Sequence, residues 1–144
     1  MLDRNSLLHQ AKAFALALVA WKEGSNQTLA ARAGIMHTVL TRAANPRWWG
    51  NDVWQVIGKK EQYSALGHPG DANLVRWPQL DEPPKGSFLE CLALAWQVLD
   101  GTTPNPAPGA THYHDVSLPH PPPAWGPNPE RVATVDDLTF YVVD

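Results

Sequence analysis

The residue whose type and placement first suggest chemistry is Glu23, which closes the apolar stretch LLHQAKAFALALVAWKEGS running from Leu7 to Ser25. From Ala13 to Trp21 nothing is charged or amide-bearing, and a helix apolar on all sides is a buried one. An acid at the end of such a helix stands where rigid scaffold meets solvent, and partial burial there raises a carboxyl pKa and suits it to general acid work. Other groups offer less. His112, His114 and His120 suggest a metal, since H-x-H on a strand turns both rings to one face. Only Asp115 is near enough to add to them, and no cysteine or carboxylate at zinc-site spacing completes the set. No metal and no cofactor are therefore expected. Ser64 lacks a G-x-S-x-G turn, Cys91 lies in an apolar helical pattern, and no glycine-rich loop is built to cradle phosphate. A two-carboxylate glycosidase would need a partner for Glu23, and spacing alone does not choose among Asp52, Glu61, Asp71 and Asp115.

These groups must be carried by a helical core. Leu7, Ala11, Phe14, Leu18 and Trp21 fall at alternating steps of four and three, the stripe of a first helix, and Gly24 permits it to stop in a left-handed turn. Asn26, Gln27 and Thr28 offer caps for a second helix, striped by Leu29, Ala33, Met36, Leu40 and Ala43 and ended by Asn45-Pro46. The short connection makes the two neighbours with Glu23 at the corner, and Ala30, Ala31, Ala33 and Gly34 allow close approach. A loop, Arg47 to Gly50, precedes a short helix from Asp52 to Ile57 that Asn51 can cap, and Leu74 with Trp77 suggests a further turn before Pro78. Ser87 with Glu90 is a capping box for a helix striped by Phe88, Leu92, Ala95 and Leu99 and stopped at Gly101. From Thr102 to Asn128 proline is frequent, and PHPPPAWGPNP excludes helix and central strand. Thr111 to Tyr113 and Thr139 to Val143 have strand-forming residues. The expected fold is α+β and mainly α, with a small β element and long Pro-rich C-terminal loops.

Composition narrows the function. The 144 residues suit one domain, 1–144, with a core of its own. A net charge of -3 provides no basic field for nucleic acid and no polybasic surface for membranes. One cysteine excludes an internal disulfide. Seven tryptophans are many, and those in loops would suit stacking on sugar rings. The run AFALALVA is similar to the apolar part of a secretory signal, but Asp3, His9 and the helical stripe from Leu7 argue for structure. It is also too short to span a bilayer. A soluble monomer is expected.

Taken in order, several segments carry a resemblance: Glu23-Gly24 after a helix, an Ala-rich helix ending Val39-Leu40-Thr41-Arg42, then Gln62-Tyr63-Ser64 followed by Pro69-Gly70-Asp71-Ala72-Asn73. Val98-Leu99-Asp100-Gly101, Gly109-Ala110-Thr111-His112-Tyr113-His114, Pro123-Ala124-Trp125 and Phe140-Tyr141 complete the series. From about Ala17 to Tyr141 the chain resembles the SleB-type cell wall hydrolases, a family of spore cortex-lytic enzymes and phage lysins.

The resemblance implies a lysozyme-like fold that cuts peptidoglycan between N-acetylmuramic acid and N-acetylglucosamine as a lytic transglycosylase. Glu23 matches the essential acid at the end of the first core helix. Gln62, Tyr63 and Ser64 match the Q-aromatic-S segment, and Thr111, His112 and Tyr113 the T-H-Y segment, both lining the cleft; Trp125 and Tyr141 are sugar-platform candidates. Two departures stand out. Thr41-Arg42 replaces the usual Asn-Arg, and Leu138-Thr139 stands where a histidine often precedes the terminal aromatic pair. The expected partner is bacterial peptidoglycan, and the expected setting a phage endolysin or virion-associated lysin. Such a lysin is held in the host cytoplasm until a holin releases it toward the periplasm or wall; secretion is the alternative. Three other functions stay open: an inverting muramidase using a loop carboxylate, a non-catalytic glycan-binding or virion structural protein, and a metal-dependent amidase using His112 and His114.

Overall fold

The computed structural model describes residues 2–59 and 77–144. Helix α1 (Leu7–Gly24) begins at Ser6, whose hydroxyl accepts the His9 N–H, and its middle is buried on nearly every side from Ala13 to Trp21. The apolar run is therefore a core element, and of the expected stripe Trp21 is fully buried and Leu18 packs against the core, while Leu7 and Phe14 are exposed. Leu7 is 80% exposed and Phe14 45%, the latter with part of its ring against Phe88 and Trp54. Gly24 does not adopt a left-handed conformation either; it is the last helical residue, followed by Ser25 with helical backbone angles. Its lack of a side chain serves packing instead, since a Cβ there would lie 2.9 Å from Ile35 Cδ1 on the next helix.

Helix α2 (Leu29–Ala44) is capped by Thr28, which accepts the Ala31 N–H, and ends at Asn45. Ala31, Ala33 and Gly34 are buried, but Ala30 is exposed and Gly34 faces the sheet: a Cβ on it would lie 2.5 Å from Phe140 Cζ. The short helix α3 (Val53–Gly58) is capped by Asp52, not Asn51, through a 2.9 Å bond from the Gln55 N–H. The expected turn at Leu74–Trp77 falls mostly outside the described residues, and Trp77 itself has no helical structure. Helix α4 (Phe88–Leu99) starts as its capping residues dictate: Ser87 Oγ accepts the Glu90 N–H at 3.0 Å, while Glu90 Oε1 accepts the Gly86 N–H at 3.1 Å. The same carboxylate pairs with Arg32 at 2.6 Å, tying α4 to α2 through a guanidinium that is nearly fully buried. Arg32 also donates to Cys91 Sγ at 3.5 Å, so the lone cysteine is a buried acceptor as well as a small apolar group.

Three strands follow: β1 (His112–Asp115), β2 (Glu130–Val135) and β3 (Leu138–Val142). They form an antiparallel sheet in the order β1-β3-β2, with His112 opposite Tyr141 and Tyr113 opposite Phe140. The fold is thus α+β and mainly helical, with a small sheet. The strand from the Pro-rich region, β1, takes an edge, where proline neighbours are tolerated, and β3 takes the centre. β2 was not anticipated, although R-V-A-T-V and L-T-F-Y-V around Asp136-Asp137 form a hairpin whose Asp136 adopts φ 51°. Asp136 accepts a hydrogen bond from Thr28, docking this hairpin against the start of α2. One core joins the helices to the sheet: Leu16, Trp21, Ile35, Met36, Val56, Phe88, Cys91 and Phe140 all belong to it. No helix among the described residues is long and apolar enough to cross a membrane.

Candidate active site

A cleft of about 810 Å³ opens where the C-terminal ends of α1 and α2 meet the outer strand of the sheet. Glu23, in the last turn of α1 and half-buried, lines it beside Asn26 and Gln27 of the α1–α2 connection. From α2 comes Arg42, and from the following loop Trp48 and Trp49. The opposite wall holds His112, Tyr113, His114 and Asp115 of β1, with Leu118, Pro122 and Trp125 of the Pro-rich loop. Leu138 and the terminal Val143 and Asp144 close it.

The T-H-Y-H strand is held from behind. Arg42, itself buried, donates from Nε to the Thr111 carbonyl at 2.6 Å, and its guanidinium lies 5.4 Å from the Trp49 ring centroid. Trp49 in turn donates to the Arg42 carbonyl at 2.9 Å. The end of α2 and strand β1 are therefore one hydrogen-bonded unit. Thr111 stands behind the cleft wall, its Oγ1 accepting the Val143 N–H at 3.1 Å and meeting His112 Nδ1 at 2.8 Å. Tyr141 also stands behind, its hydroxyl 3.2 Å from His114 Nε2 and its ring 5.6 Å from Trp125. Tyr113 turns its ring to Phe140 at 5.6 Å, away from the two histidines.

The two histidines differ in what they have left to offer. His114 uses both ring nitrogens within the protein: Nδ1 donates to the Asp115 carbonyl at 2.8 Å, and Nε2 is hydrogen-bonded to the Tyr141 hydroxyl at 3.2 Å. His112 is packed among the rings of Trp49, Trp48 and Trp125, the last at 5.0 Å. Burial, and then the nearby Arg42 and Arg47 cations, push its pKa down to about 3, so it is neutral at any working pH. Asp115 is held below the usual carboxylate range by the Ser117 backbone N–H and side chain, and is ionised. No group of three or more metal-ligating side chains occurs among the described residues.

Of the residues singled out from the sequence, Glu23, His112, Tyr113 and Trp125 share this cleft, while Thr111 and Tyr141 support its wall. Gln62, Tyr63 and Ser64 lie outside the described residues. Arg42, Trp48, Trp49 and Gln27 were not anticipated as parts of the site; only the adjacent tryptophans in a loop hinted at it. A family model described as Cell Wall Hydrolase matches residues 26–141. The chain belongs to that family. Most of the cleft lies within the match, including the whole T-H-Y-H strand, whereas Glu23 lies just before it. No curated protein and no solved structure matches the chain. As a cell wall hydrolase it is an enzyme acting on peptidoglycan.

Proposed function

We propose that this cell wall hydrolase cuts the glycan strand of peptidoglycan between N-acetylmuramic acid and N-acetylglucosamine, with a lysozyme-like fold and Glu23 as its acid and base. The observation that carries the proposal is that the carboxyl closing the buried helix α1 lines the same cleft as the histidine strand and the indoles of Trp48 and Trp125. Saccharides favour clefts of this composition, with aromatic faces for the apolar side of a pyranose and polar groups for its hydroxyls. Glu23 protonates the glycosidic oxygen as the bond to the anomeric carbon breaks. The resulting carboxylate then takes the proton of the muramic acid C6 hydroxyl as that oxygen bonds to the anomeric carbon. The product is a 1,6-anhydromuramic end, and the acid is regenerated without a second carboxylate.

A hydrolytic variant is favoured by one specific feature: Asp115, held ionised by Ser117, lines the same cleft as Glu23 and is placed to activate water. The test is mass spectrometry of fragments released from purified peptidoglycan by the wild type and by Glu23→Gln. Anhydromuramic products that vanish in the variant support transglycosylation by Glu23. Reducing muramic ends replace it by the hydrolytic scheme, and intact glycan with cleaved peptide stems overturns both. The proposal includes the setting of a phage lysin: co-expression with a holin should lyse a host that tolerates the enzyme alone in its cytoplasm.

A further inference from the structure

Among the polar groups of the cleft, His112 has a hydrogen-bonding arrangement that leaves one defined atom for a ligand. Thr111 Oγ1 accepts the Val143 N–H at 3.1 Å, and its own proton has no acceptor among the described residues other than His112 Nδ1, 2.8 Å away. The hydroxyl therefore donates to Nδ1, and the single proton of the neutral ring resides on Nε2. Nε2 has no hydrogen-bond partner among the described residues, yet it is not a buried orphan: it keeps contact with solvent although the residue as a whole is 5% exposed. The ring is recessed, with Trp48 at 6.4 Å and Trp125 at 5.0 Å.

We propose that His112 is a fixed Nε2–H donor that recognises the carbonyl oxygen of a 2-acetamido group on the glycan, between the indoles of Trp48 and Trp125. This rests on the glycan-cleaving function proposed above and specifies what its cleft selects. A recessed donor between apolar faces fits an acceptor that protrudes from the sugar ring and carries an apolar cap, which is the geometry of a carbonyl with its methyl. A ring hydroxyl brings no apolar surface to the two indoles. De-N-acetylated sugar replaces the acceptor by an ammonium, which offers only donors to a donor. That ammonium would also be repelled by Arg42 and Arg47, whose charges act on the ring. Among the described residues, the other charged or titratable groups around the ring are His114 on the same strand, Tyr141 on β3, and Glu23, Asp115 and Asp144 along the cleft. None of them is hydrogen-bonded to Nε2. His112 is thus a specificity determinant rather than a second proton-transfer group, and His114, satisfied at both nitrogens, supports Trp125 and Tyr141.

The experiment is a nitrogen–proton correlation of the histidine rings in the full chain carrying Glu23→Gln, from pH 8 to pH 5, with and without the N-acetylglucosamine tetramer. The His112 proton is expected on Nε2 with Nδ1 bare throughout, and its signal should move with the tetramer but not with the de-N-acetylated tetramer. A proton on Nδ1, a titration near pH 6.5, or equal response to both oligosaccharides overturns the proposal. In the active enzyme, His112→Phe should lower kcat/KM on N-acetylated peptidoglycan about 10- to 100-fold, mainly through KM, and His112→Gln, which restores an N–H at similar reach, should recover most of it. Equal losses in both variants with intact folding also overturn it. Should His112→Phe fail to fold, the ring correlation still decides. A wild type that binds the tetramer through Nε2 but leaves glycan strands uncut would remove the proposed activity and keep this site.

Discussion

Gly34 gives the sharpest test of how the helical layer positions the histidine strand. An ideal Cβ at this position would lie 2.5 Å from Phe140 Cζ and 3.0 and 3.1 Å from its two Cε atoms, so it meets the ring end-on. Ordinary contact needs about 1 Å more, as carbons pack at about 3.5–4.0 Å. The ring cannot swing aside, because Phe140 is fully buried in the central strand, hydrogen-bonded on both sides, with Tyr113 against it. Overpacking of this kind costs about 1–3 kcal/mol, and the end-on geometry places Gly34→Ala at the upper end. Alanine returns about 1 kcal/mol of helix propensity, leaving a net loss of about 2 kcal/mol. For a chain of this size that lowers Tm by about 4–8 °C. Strand β3 must also shift, and β1 with it, so peptidoglycan cleavage should fall about 10-fold or more, since 1 Å of misplacement at a site can cost about 100-fold. Gly58→Ala is the control: nothing lies within 4 Å of its Cβ position, and it should be neutral or raise Tm slightly. The assay is thermal unfolding beside dye release from labelled peptidoglycan, and Phe140→Leu combined with Gly34→Ala should recover part of the stability. Gly34→Ala at least as stable as the wild type would refute the close α2–β3 packing.

Other outcomes follow from the same geometry. Arg42→Met leaves the Thr111 carbonyl without its donor and should cost about 2–4 kcal/mol in denaturant unfolding, with a larger loss of cleavage than of stability because β1 is released. Trp125→Ala removes the indole between the two histidines and should weaken oligosaccharide binding about 10-fold with little change in Tm, as the ring is only half-buried; calorimetric titration measures it. Glu90 has its pKa held down by the Gly86 N–H and then by Arg32. Its contribution is therefore complete above its ordinary pKa near 4.5 and lost as pH falls through the lower folded value, so the stability gap between wild type and Glu90→Gln should close across that window. His112 works by the opposite charge logic. The unfolded imidazole takes a proton below about pH 6.5 while the folded one stays neutral down to about 3, so the wild type should lose stability as pH falls through this range, and His112→Gln less.

Local chemistry was legible from the chain alone. Thr28, Ser87 with Glu90, and Gly101 mark helix boundaries because capping depends on atoms within a few residues. The burial of Ala13 to Trp21, Phe14 excepted, followed from the absence of any polar group, and the position of Glu23 at the end of that helix followed with it. The resemblance in motif order named the family that the match over residues 26–141 shows. What the sequence could not specify depends on partners distant along the chain. Leu18 and Trp21 of the helical stripe meet the core, but Leu7 is exposed and Phe14 is covered on part of its ring by Phe88 and Trp54, so periodicity alone did not say where along α1 the cover ends. Gly24 serves contact with Ile35 and not backbone freedom, and Gly34 allows close approach as expected but to Phe140 of the sheet rather than to α1; only the assembled layers show which partner each glycine meets. The same holds for the two histidines. Their spacing puts both rings on one face, but Tyr141 occupies His114 and Thr111 orients His112 toward the cleft; spacing sets a direction, and only tertiary neighbours decide which atom is left to bind.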